Sequence, residues 1–143
     1  MPSWSRSLLV LAVIGALVAA GCGGGDYPSK PNDICKDAAS QFKSLKKPKS
    51  ASDLHIYLIQ YTKIVNDEVA KFKAIKPPND KQVAYSNFLA GLDQVLGVLR
   101  RATDASGSNP RRSAALIRRG AGLSQNVAAN AKAAGLTRCG GSG

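Results

Sequence analysis

Few side chains in this 143-residue chain have the type and spacing that chemistry demands. His55 is the only histidine, and Ser52 precedes it by one helical turn. No acid is placed to orient the imidazole, as a Ser-His-Asp arrangement requires. Asp67 and Glu68 are adjacent in a helical stretch, so they point about 100° apart and cannot flank one substrate as glycosidase carboxylates do. Both are expected to be solvated. Gly120-Ala121-Gly122 lacks the strand and helix start of a dinucleotide-binding turn, and Gly23-Gly24-Gly25 lacks the Lys-Ser/Thr of a phosphate loop. Tyr57, Tyr61 and Tyr85 read as packing residues with wet hydroxyls. Met1 is the only methionine, so processing of the amino terminus would remove a common axial ligand for haem. The expectation is a protein that is not an enzyme, with no catalytic residue, no metal and no cofactor.

The cysteines say more. There are three, Cys22, Cys35 and Cys139, and an odd count in an exported chain needs an explanation. Met1 to Ser7 carries Arg6 and no acid, and Leu8 to Ala20 reads LLVLAVIGALVAA. That pattern fits a secretory signal, whose apolar region is about 7–15 residues long. It falls short of the roughly 20 apolar residues of a spanning helix. Cleavage after Val18-Ala19-Ala20 would release a free protein with a stray thiol. Ala19-Ala20-Gly21-Cys22 instead resembles the bacterial lipobox, with Ala19 where Leu is usual. The resemblance implies a diacylglycerol thioether on Cys22 and cleavage just before it. It also leaves Cys35 and Cys139 as an even pair and makes the three glycines a tether. The expected location is the outer face of the cytoplasmic membrane, in the cell envelope.

The strongest remaining feature is charge. Lysine and arginine outnumber acids by 20 to 9, a net charge of +11, which becomes +10 when Arg6 is lost with the signal. Such an excess suits anionic surroundings: lipid headgroups, nucleic acid or phosphate-bearing wall polymers. Export makes nucleic acid the least fitting of them. Whether the cations form a site depends on the elements that carry them.

Four helical patterns follow a polar stretch, Asp26 to Asn32, punctuated by Pro28 and Pro31. The first is short, from about Asp33 to Leu45, with Asn32 as its expected N-cap and Ile34, Cys35, Ala38, Phe42 and Leu45 on one face. The second runs from about Ser52 to Ile75, capped by Ser50 or Ser52 and stopped by Pro77-Pro78. Its stripe is Leu54, Leu58, Tyr61, Val65, Phe72 and Ile75. The third opens at Asn79 or Asp80 and reaches about Ala105. Its apolar stripe begins at Val83, and Gly91 and Gly97 are expected to admit a neighbouring helix closely. The fourth starts at Asn109-Pro110 and ends where Gly135 can turn left-handed with Leu136 folding back. The expected domain plan is a signal peptide over 1–21, lipidated cysteine and flexible linker over 22–32, a helical bundle over 33–139, and a flexible tail over 140–143.

Short connections between long helices favour an all-α, antiparallel up-down four-helix bundle with a short first helix. That topology brings Cys35 and Cys139 to one pole, where they should oxidise outside the cytoplasm and close the bundle. A metal site from Cys35, Cys139 and His55 is the alternative; it lacks a fourth ligand, and His55 belongs near the opposite pole. The stretches CKDAASQFKSL, AIKPPND and AANAKAAGLTRCG resemble a class of small exported helical proteins of high-GC Gram-positive bacteria. The resemblance spans about Ile34 to Gly140 and implies fold and disulfide, with no activity attached.

The same topology gathers Lys46, Lys47, Arg100, Arg101, Arg111 and Arg112 at the other pole, with Lys43, Lys49, Arg118 and Arg119. Asp53 and Asp104 are the nearby acids. Cations near helix C-termini suit the dipole; Arg111 and Arg112, in the first turn of the fourth helix, do not. These residues are therefore the expected anion-binding site. The expected function is a non-catalytic, lipid-anchored envelope protein binding an anionic polymer or acidic partner through that pole. A groove between helices holding a partner helix or apolar ligand is the alternative, and the residue pattern indicates no oligomeric state.

Overall fold

Asn32, expected to cap the first helix, lies inside it. In the computed structural model, which describes residues 25–140, α1 spans Ser29–Ser44 and takes in the last four residues of the expected linker. Pro31 is the third residue of this helix, where its missing N–H would have been unpaired anyway, and its ring is buried. The proline thus sits in a helix start instead of punctuating a linker. Asn32 Oδ1 accepts the Arg138 N–H at 3.0 Å, tying the start of α1 to the C-terminal segment. The expected signal peptide, Cys22 and residues 141–143 lie outside the described residues.

The later boundaries follow local chemistry. Helix α2, Ala51–Lys73, is capped by Ser50, whose side chain accepts from the Asp53 N–H at 3.1 Å. One 3-10 turn, Asn79–Lys81, leads into α3, Gln82–Ser106. Helix α4, Pro110–Ala133, begins with Pro110 at the tolerated first position and Asn109 accepting from the Arg112 N–H at 3.0 Å. It closes in a Schellman motif. Gly135 has φ +80°, its N–H reaches the Lys132 carbonyl, and Leu136 N–H reaches the Ala131 carbonyl at 2.9 Å. Leu136 is buried by the turn.

Cross-helix pairs establish the antiparallel order. Thr62 meets Thr103, Asn66 meets Arg100 and Lys73 meets Asp93, so α2 and α3 run opposite ways. Ser113 donates to the Ala102 carbonyl and Val127 lies against Gly91, which does the same for α3 and α4. The fold is an all-α, up-down four-helix bundle with a short first helix, as the periodicity predicts. Helix α3 is its centre, packed on both α2 and α4, while no extended contact joins α1 to α4. The gap between those two helices is bridged at one pole. Cys35 and Cys139 are bonded there, with Cα atoms 5.1 Å apart, inside the usual range.

The core runs along α3 through Tyr85, Phe88, Leu92, Val95, Leu96 and Leu99, with Val65, Val69 and Phe72 of α2 and Val127 and Ala131 of α4. Val83 is 77% exposed, so the α3 stripe begins at Tyr85 instead. The Tyr85 hydroxyl is not wet as expected: it donates to the Phe72 carbonyl at 2.9 Å, at the C-terminal end of α2. The reading of the two glycines divides. A Cβ on Gly91 would lie 2.9 Å from Val127 Cγ2, so this glycine does admit α4. Val127 is β-branched and stiff, and cannot swing aside. A Cβ on Gly97 would meet nothing. Gly97→Ala should therefore stabilise the bundle by about 0.5–1 kcal/mol, while Gly91→Ala should destabilise it. Thermal melts of the two variants check this, and the expected shifts have opposite signs.

Candidate functional site

The first place to look for chemistry is His55, because it is the only histidine. Its Nδ1 lies 2.6 Å from Ser106 Oγ, and that hydroxyl lies 2.6 Å from the Thr103 carbonyl oxygen. A carbonyl only accepts, so Ser106 donates its proton there and accepts from the imidazole N–H. Ser106 is also buried. The pair ties the start of α2 to the end of α3, and its proton points the wrong way for a base-activated serine. The three-residue metal set is overturned, since the two sulfurs are bonded to each other and His55 sits at the other pole.

That pole carries the expected anion-binding residues. The end of α1, the start of α2, the end of α3 and the start of α4 meet there. They present two separate depressions instead of one gathered cluster. Lys46 and Lys47 border an open concavity of about 1010 Å³ between the end of α1 and the start of α2, with Lys49, Asp53, Ile56 and Tyr57. Arg101 and Arg112 border a smaller one of about 210 Å³ at the α3–α4 junction, with Asp104 beside them. Arg100 points toward α2, where its guanidinium donates to Asn66 Oδ1 at 2.7 Å. Arg111 and Arg112 are exposed in a first turn that holds no acid. Among the described residues, none of the six forms an ion pair.

A second site lies where charge patterning does not lead. The open side between α1 and α4 is a groove of about 230 Å³ that reaches the core. Its walls are Ala38, Phe42, Val65, Leu92, Val95 and Val127. Phe42 and Tyr61 stack within it, ring centroids 4.4 Å apart. The polar groups in its lining are Tyr61, Glu68, Ser124 and Arg138, beside the disulfide. Glu68 is the single glutamate of the chain, and it is half-buried here, contrary to the expectation of a solvated side chain. Its Oε1 lies 3.6 Å from Cys35 Sγ. A bonded sulfur has no proton to give, so an ionised Glu68 carboxylate receives nothing from it.

The adjacent acids thus differ sharply. Lys63 Nζ donates to Asp67 at 2.7 Å and holds its carboxyl below the ordinary value. Burial pushes the Glu68 carboxyl up to about 7, against a smaller opposing pull from Lys71. The mechanism is desolvation, which disfavours the charged form. The missed signal is positional: Cys35, Ala38 and Phe42 on α1 face Tyr61, Val65 and Glu68 on α2. Extending the α2 stripe by three residues from Val65 reaches Glu68.

No protein-family model matches the chain, and no curated protein or solved structure is similar to it. Among the described residues, no helix is long and apolar enough to cross a membrane, and no three His, Cys, Asp or Glu side chains cluster as metal ligands would.

Proposed function

We propose that this chain is a lipid-anchored cell-envelope protein, non-catalytic, whose basic pole engages an anionic envelope polymer or an acidic partner. The observation that carries the reading is the exposure of Arg111 and Arg112 at the N-terminus of α4. Arg112 lines the same depression as Arg101, while Lys46 and Lys47 line a separate one. Positive charge at a helix N-terminus is locally unfavourable. A choice that works against local stability points to use elsewhere. Arginine also presents a planar fork that can hold phosphate or carboxylate with two bonds.

The tether rests on the AAGC sequence and on the disulfide, which uses Cys35 and Cys139 and leaves Cys22 as the third cysteine. The bridge lies at the pole where α1 begins, so a lipid on Cys22 would attach at that end. The cationic pole would then be about 24 Å away along the 16 residues of α1. Two acyl chains make a stable anchor where one is reversible. Expression in a bacterial host should give membrane-bound protein with a diacylglyceryl mass on Cys22, and Cys22→Ser should lose both. Mass spectrometry finding an unmodified Cys22 in the wild-type protein refutes the tether.

A further inference from the structure

The groove between α1 and α4 is distinct from the basic pole, and its chemistry does not depend on whether that pole binds anything. Two of its features point to a ligand and a third limits its size. A half-buried carboxyl faces a cavity with apolar walls, and among the described residues no N–H or O–H donates to it. Leaving such a group unpaired costs stability, and such sites cluster where proteins bind or react. Two stacked aromatic rings share the same walls, and ring faces attract cations. The volume of about 230 Å³ is below that of pockets for drug-sized ligands, which start near 300 Å³.

These features discriminate among occupants. A partner helix, about 10 Å across, is too large for the cavity. A bare divalent ion wants six or more oxygen ligands, and the lining offers one carboxyl and two hydroxyls. An uncharged apolar molecule would leave Glu68 unpaired. We infer that the groove binds a small organic ammonium, its charged nitrogen on the Glu68 carboxylate and its hydrocarbon or aryl body against Phe42, Tyr61 and Val65.

The charged surroundings set the pH dependence. Lys71 on α2 is the cation that bears on this acid. Tyr61 on α2 shares the groove with it, Arg138 on the C-terminal segment lines the same groove, and the α1 and α4 walls contribute the disulfide and Ser124. Arg138 is exposed at the groove's edge and opposes a second cation. The carboxyl, raised to about 7 by burial, must ionise to pair with the ammonium. Binding should therefore release a proton near neutral pH. It should also weaken on acidification, by about 30-fold at pH 5.5 relative to pH 8.

The test uses the full chain and 2-phenylethylammonium as probe, with 2-phenylethanol and 3-phenylpropionate as neutral and anionic counterparts. Calorimetry at pH 8 should show saturable binding of the ammonium, at least tenfold tighter than either counterpart. Repeating it near pH 7 in buffers of different ionisation enthalpy should reveal the released proton. Glu68→Gln should weaken the ammonium at least tenfold without unfolding the chain, and Arg138→Gln should tighten it two- to threefold. Perturbed NMR signals should map to Phe42 and Tyr61. Tighter binding of 3-phenylpropionate, equal binding of all three probes, binding unchanged in Glu68→Gln, or no saturable ammonium binding each overturns the inference.

Discussion

Replacing Glu68 with glutamine should raise the thermal stability of the bundle at pH 8 and leave it nearly unchanged at pH 4. Glutamine matches the protonated acid in shape and removes the charge. Below its ordinary value of 4.5, Glu68 is protonated in both folded and unfolded chains and contributes no penalty. Between 4.5 and about 7 the folded chain retains a proton that the unfolded chain has released, so stability falls as pH rises. Above 7 the penalty is complete. Its size is on the order of 3 kcal/mol, from a shift of this extent. Melts of both proteins across pH 4–8 should show a gap that opens between those limits. A gap that is constant with pH would mean that Glu68 is ionised at little cost, and that it is not desolvated in the groove.

Removing the disulfide should have the largest effect of any pairwise change. Cys35 and Cys139 are separated by 104 positions. Closing a loop of that length stabilises a fold by up to about 4.7 kcal/mol in the chain-entropy view. Cys35→Ser with Cys139→Ser should lower the melting temperature by on the order of 20 °C. The damage should be uneven. α1 has no extended contact with α4, and its hold on the C-terminal segment is the bridge and the Asn32 acceptance from Arg138. Just before α1, the Tyr27 hydroxyl is bonded to the carbonyl of Ala134 at the end of α4. Hydrogen exchange in the double variant should therefore rise first in α1 and in residues 135–140. Uniform loss of protection across all four helices would show that α1 is an integral layer and not a strapped-on one.

What can be read from residue order is what neighbours in sequence decide. Ser50 and Asn109 cap helices through bonds three residues away, and Gly135 with Leu136 completes a motif within six positions. The disulfide is legible because four helices with short connections leave little choice of topology. Ser29 to Asn32 misleads because proline is equally at home in a turn and in the first turn of a helix; only burial of the Pro31 ring separates the two. Gly91 and Gly97 look alike in sequence, and Val127, 36 residues beyond the first, tells them apart. Glu68 misleads for a related reason. Its exposure depends on α1 lying against α2 while α4 stays back, and no local pattern states how far a bundle opens. The expected anion-binding residues do not form one cluster: Arg101 and Arg112 line one depression, Lys46 and Lys47 another, Arg100 turns to Asn66, and Arg111 lines neither.

The central claim is that this basic pole is a binding surface and not a solvated face. The most direct measurement is a salt-titrated binding assay on a phosphate-rich wall polymer, comparing the wild type with Arg111→Gln combined with Arg112→Gln. Removing cations from the N-terminus of α4 relieves an unfavourable dipole interaction, so the variant should melt at the same temperature or slightly higher. It should bind several-fold more weakly at low salt, and the difference should shrink as ions screen exposed charge beyond about 10 Å at 0.1 M. A variant that melts lower and binds as tightly as the wild type would contradict the account, because the two arginines would then serve the fold and not a ligand.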